Sequence, residues 1–245
     1  MARPLASPVE QGADEHGPPR PTARVIEMEY SGSMSSAAPF HHVTDVADAA
    51  PPREDHFVRL HPATWRDYER LLEIRGEKAV PRFRFLRGVL EIMSPSRNHE
   101  SIKSIIGRLV EVFCLERGLV FSAYGSWTLK NEEKQLGLEP DECYVFGQIA
   151  EPERPDLAIE VEWSRGGIDK LEIYRVLGVR EVWRWRAGNI QPYALRGEQY
   201  EAIAASEVLP EIDLAELASF IDRPTMSHSM REYRDALHGA RPPRA

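Results

Sequence analysis

Apolar residues in this chain fall into periods that predict alternating helices and strands. Behind Thr64, which suits a helix N-cap, Trp65, Tyr68, Leu71 and Leu72 recur at helical spacing. Phe83 to Leu86 and Val89 to Met93 are apolar runs around Arg87-Gly88, the pattern of a β-hairpin. Ser94-Pro95-Ser96 breaks the second run. The next helix carries Ile102, Ile105, Ile106, Leu109, Val110 and Phe113 on one stripe and ends at Gly118. Strands are predicted over Leu119 to Tyr124 and Ser126 to Lys130. A loop rich in Glu and Lys leads to further strands over Pro140 to Phe146 and Leu157 to Trp163. A helix over Ile168 to Leu177, a strand over Val179 to Trp185, and a hairpin of Ile190 to Leu195 with Gln199 to Ala204 complete the core. Two short helices follow, Leu214 to Phe220 and Met226 to Leu237. The order predicts one α/β domain around a mixed β-sheet flanked by helices.

Composition sets the boundaries. Residues 1–55 hold eight of the 19 prolines and no lasting apolar period, so they are expected to be a disordered leader. The domain is expected over 56–222, and a C-terminal helix and frayed tail over 223–245. The net charge of -8 argues against coating nucleic acid by bulk charge but leaves room for a local basic groove. No apolar run is long enough for a transmembrane helix, and Met1 to Glu10 lacks a signal-peptide core, so no membrane association and a cytoplasmic location are expected. Two cysteines, Cys114 and Cys143, are too few for a disulfide scaffold or a four-cysteine zinc site.

The chemistry concentrates in carboxylates. Asp141 opens one strand, and Glu160 interrupts the otherwise apolar Leu157-Ala158-Ile159-Glu160-Val161. A carboxylate in a buried strand needs a partner, a proton or a cation. The alternative is a half-exposed strand whose wet face shows Glu160 and Glu162. On the following helix Lys170 shares the inward stripe of Ile173, Tyr174 and Leu177. It either snorkels to solvent or meets the acids of the preceding strand. Two acids on neighbouring strands and a lysine are what metal-assisted phosphodiester cleavage requires: hard oxygens for Mg²⁺, and an ammonium for developing charge.

Residues from about 60 to 205 resemble the Uma-type restriction endonuclease family, within the PD-(D/E)XK nuclease superfamily. The matching stretches are Phe85 to Pro95 followed by His99; Pro140-Asp141; Pro155-Asp156-Leu157-Ala158-Ile159-Glu160-Val161; Lys170 with Tyr174; and Gly178 to Trp183. The resemblance implies a restriction-endonuclease-like fold, with Asp141 as first acid and Glu160 as second. It implies a DNA endonuclease dependent on Mg²⁺, with Mn²⁺ as substitute, acting as a homodimer. The superfamily lysine normally stands two residues after the second acid, where this chain has Glu162. The Uma-type pattern supplies it from the next helix, at Lys170.

Other residues keep two readings. Glu100 is either a third catalytic and metal-binding acid or a first-turn helix residue favoured by the dipole. His99 reads as structural ahead of ligand. Asp156 reads as a strand-start residue, in competition with Asp141 for the first-acid role. Glu139 and Glu142 should turn away from the face that Asp141 uses. Trp183, Trp185 and Tyr193 read as packing ahead of base stacking. The seven basic residues from Arg82 to Arg117 are either scattered solvated charges or a phosphate-tracking surface. Three functions compete: the endonuclease, a catalytically degenerate binding or regulatory module, and a plain α/β domain with structural acids.

Overall fold

The computed structural model describes residues 24–29, 54–163 and 167–239. In chain order the elements are β1 (Arg24–Glu29), β2 (His56–His61), α1 (Trp65–Arg75), β3 (Arg82–Leu86), β4 (Val89–Ser94), α2 (Arg97–Arg117), β5 (Phe121–Ala123), β6 (Leu129–Asn131), β7 (Leu136–Leu138), β8 (Glu142–Phe146), β9 (Leu157–Val161), α3 (Lys170–Leu177), β10 (Glu181–Arg186), β11 (Asn189–Arg196), β12 (Gln199–Ala202), α4 (Leu214–Ser219) and α5 (Met226–Gly239). Among the described residues no helix is long and apolar enough to cross a membrane.

The α/β class holds, but among the described residues the strands divide between two six-stranded sheets. One runs β1-β2-β4-β3-β7-β6 and the other β12-β11-β10-β9-β8-β5. The second sheet is mixed: β9 and β10 are parallel, and β8 is antiparallel to β9. Its two faces are covered differently. Leu157, Ile159, Val161, Trp183 and Trp185 pack against Ile106, Leu109 and Phe113 of α2, with α4 and α5 behind. On the opposite face Ala158 and Val182 meet Ile173 and Tyr174 of α3 and Leu136 and Leu138 of β7. The first sheet has its own cluster, in which Tyr68 of α1 packs on Phe83, Phe85 and Leu90.

Local chemistry explains the element ends. Thr64 and Asp67 form a reciprocal capping box at the start of α1. Ser96 caps α2 by accepting from the His99 N–H, and Gly118 ends that helix in the left-handed conformation. The Glu- and Lys-rich stretch expected to be a loop contains β7. Its Leu-Gly-Leu sequence is short and interrupted by glycine, so it lacks a strand signature. The glycine is required there: a Cβ on Gly137 would lie 2.5 Å from the Tyr68 hydroxyl oxygen.

The leader expectation needs correction at two places. Arg24–Glu29 pairs in parallel with β2, and Asp55 is buried at 4% exposure. The rest of 1–53 lies outside the described residues. Asp55 is held because it accepts from the Ser96 N–H at 2.7 Å and faces His99 Nδ1 at 2.9 Å.

Candidate active site

β9 is a central strand between β10 and β8, and all five of its residues are buried. The half-exposed reading of Glu160 is therefore excluded; it is 0% exposed. Alternation places Glu160 on the Ala158 face, toward α3 and the first sheet. Tyr174 donates its hydroxyl to Oε1 at 2.5 Å, and Lys170 donates to Oε2 at 2.6 Å. Burial alone raises the Glu160 carboxyl; Lys170 and Arg84 outweigh it and hold the group below its ordinary value. Asp169 caps α3 by accepting from the Glu172 N–H. That start orients the helix so that its first residue, Lys170, reaches the strand.

Asp141 stands one residue before β8. The register pairs Glu142 with Ile159, and one further step sets Asp141 opposite Glu160. Asp141 is also fully buried. Its Oδ2 accepts from the Val161 N–H at 2.7 Å. Its Oδ1 faces His99 Nε2 at 3.0 Å and is paired with the Arg82 guanidinium. Arg82 also donates to Glu100 Oε1 at 2.8 Å, and Glu100 takes Lys103 at 3.0 Å on its other oxygen. The structure thus places Glu100 on the far side of Arg82 from Asp141. Among the described residues, no cluster of three or more His, Cys, Asp or Glu side chains is arranged to hold a metal ion.

Glu162, at the superfamily lysine position, accepts two bonds from Arg184, at 2.8 and 2.6 Å, and lies 3.8 Å from Lys170. Alternation turns Glu142 away from the face of Asp141, but it does not place Glu139, which stands two residues back and between β7 and β8. Glu139 accepts from Arg75, the Phe83 N–H and Thr128. Glu142 turns toward α2, packing beside Gly107 with Lys103 3.8 Å away. Asp156 stands at the opposite end of β9 and accepts from the Phe146 N–H at 2.9 Å. Trp183 and Trp185 are core.

Sequence reasoning missed three participants. Arg82 and Arg84 fall in the stretch considered as a basic surface, yet both are interior. Phe83 and Phe85 face α1, which turns the arginines to the other face of β3. Arg84 donates to Glu91 at 2.8 Å, and Glu91 also takes Arg59 at 2.9 Å. Asp55 is the third. His99 bridges it to Asp141, and burial lowers the imidazole below its ordinary value while Asp55 opposes that shift. A cleft of about 220 Å³ opens over Glu160, Lys170, Glu91, Arg84, Glu162 and Arg184.

A mixed sheet with opposed acids on neighbouring strands, and a lysine from the adjoining helix, defines the class: a mixed α/β domain organised like a restriction endonuclease. The profile of Uma2, described as "Putative restriction endonuclease", matches residues 65–221, and the chain belongs to that family. No curated protein gives a significant match.

Proposed function

We propose that this protein is a metal-dependent endonuclease that hydrolyses phosphodiester bonds in DNA at the cleft over Glu160. The observation that carries this reading is the pair of fully buried carboxylates, Asp141 and Glu160, at opposed positions of adjacent strands, with Lys170 2.6 Å from Glu160. The donor chemistry suits a hard divalent ion. Mg²⁺ is commonly held by one or two carboxylates, with water and substrate phosphate oxygens completing the shell. Mn²⁺ accepts the same oxygens.

In this reading Asp141 and Glu160 would hold the ion, which would supply Lewis-acid chemistry at the phosphate when bound. Val161 N–H, His99 and Arg82 fix the Asp141 carboxylate. Tyr174 fixes Glu160 through Oε1. Lys170 presents its ammonium at the cleft wall, where it favours charge developing on the phosphoryl oxygens. Glu100 stays outside the ion site, with one oxygen on Arg82 and the other on Lys103, on the far side of Arg82 from Asp141. Two copies related by a two-fold axis would place one such site on each strand of a duplex.

A second reading is a catalytically degenerate module. It is favoured by Glu162 at the superfamily lysine position and by Asp141, whose two oxygens are already engaged by Arg82, His99 and Val161. The deciding experiment incubates the full chain with supercoiled plasmid and single-stranded DNA in Mg²⁺ or Mn²⁺, beside Glu160→Gln. Cleavage by wild type that Glu160→Gln lacks supports the nuclease. An inert wild type that still binds DNA supports the module.

A further inference from the structure

The cleft contains a second constellation that the acids do not use. On β10, Trp183 and Trp185 point into the core beneath α2. Alternation turns Val182, Arg184 and Arg186 to the face that carries Glu160. β10 lies parallel to β9 with Arg184 level with Glu160 and Trp185 level with Val161. Arg186 is therefore one alternation step farther toward the strand end than Arg184, roughly 6–7 Å along β10.

The cations in the cleft lining are Arg84, Lys170, Arg184 and Arg186. Arg84 is committed to Glu91, Lys170 to Glu160 and Arg184 to both oxygens of Glu162. Arg186 has no carboxylate partner among the described residues, and it is half-buried at the cleft rather than spread into solvent. The same lining holds two enclosed donors without a hydrogen-bond partner among the described residues, Arg84 Nε and Trp163 Nε1. A planar guanidinium left uncommitted at the cleft suits a phosphate oxygen pair.

Resting on the nuclease reading, we propose that Arg186 is a phosphate-binding residue, contacting the DNA backbone next to the phosphate held over Glu160 and Lys170. Its role is grip on the strand, and the acids and Lys170 carry the chemistry.

The test measures binding of the full chain to a fluorescent DNA duplex in Ca²⁺ across a salt series, with strand integrity checked on a gel. Wild type, Arg186→Ala, Arg186→Lys and Arg66→Ala are compared, the last removing an exposed charge on α1. Arg186→Ala is expected to weaken binding about five- to tenfold near 0.1 M salt and to reduce the salt slope by about 1. Arg186→Lys should keep the slope, and Arg66→Ala should match wild type. The inference is overturned if wild type binds and Arg186→Ala shows the same affinity and slope. It is also overturned if Arg66→Ala loses as much, which would make the effect one of net charge. Wild type that does not bind DNA at all removes the nuclease reading, and this inference with it.

Discussion

Lys170 and Glu160 form an ion pair in the cleft, 2.6 Å apart, with the glutamate fully enclosed and the lysine at the first position of α3. The lysine has two duties there. It compensates a buried carboxylate, and it presents a cation to the cleft.

Lys170→Ala should therefore change two quantities. Cleavage should fall about 10²–10³-fold, as for loss of one preorganised group that favours the transition state. Stability should fall by up to about 3–5 kcal/mol, the range for stripping one partner from a buried pair. Arg84 and Tyr174 remain near Glu160 and should hold the loss toward the lower end. Single-turnover cleavage and urea denaturation separate the two effects. A variant with wild-type rates would reduce Lys170 to a structural counter-ion.

Glu91→Gln should destabilise the fold by up to about 3 kcal/mol, because buried Arg84 loses its hydrogen-bonded carboxylate and keeps only the charge of Glu160. Burial raises the Glu91 carboxyl, but Arg84 and Arg59 more than offset that and leave it below its ordinary value. A depressed carboxyl stabilises the fold above its unfolded value and loses that contribution as pH falls through the folded value. The gap in melting temperature between wild type and Glu91→Gln should thus be full near neutrality and narrow below pH 4.5. A gap that stays constant down to pH 3 would contradict the pairing.

Asp55→Ala should lower stability by about 1–3 kcal/mol, since it leaves the buried Ser96 N–H unmet and frees His99. If His99 positions Asp141, the same variant should also weaken Mg²⁺ binding measured by calorimetry. Asp55→Asn, which keeps an acceptor oxygen, should recover most of the stability. Unchanged Mg²⁺ affinity in both variants would confine Asp55 to capping α2.

Gly137→Ala should cost about 1–3 kcal/mol through overpacking against the Tyr68 ring. Adding Tyr68→Phe removes the nearest atom, the hydroxyl 2.5 Å from the new Cβ, and should recover part of the loss. A double-mutant cycle in urea reads the coupling; additive losses would show that the ring moves aside at no cost.

Much of this site is legible in the chain because its signals are local. Glu160 is conspicuous as the one charge in an apolar run. Lys170 is placed by the stripe it shares with Ile173 and Tyr174. Asp141 stands out as a strand opener behind proline. The rest depends on distance along the chain: Arg82 meets Asp141 across 59 positions, and Asp55 meets Ser96 across 41. No local period encodes either contact. Arg82 and Arg84 alternate with phenylalanines, which ordinarily signals one buried and one wet face. The packing of the first sheet against the second makes the arginine face an interior, and β3 alone carries no sign of that neighbour. β7 is hidden by its glycine, and the division into two sheets depends on pairings that strand patterns do not specify.

Strand β3 consequently has no neutral side. Phe83 and Phe85 seat α1, while Arg82 and Arg84 steady the acids of the cleft. A sequence drifting at these positions would be constrained twice, once by the volume under α1 and once by the charge beside Asp141 and Glu91. Repacking under α1 that shifts β3 even slightly along its length would carry both guanidinium groups with it. The small cluster beneath α1 is thus mechanically in series with the cleft.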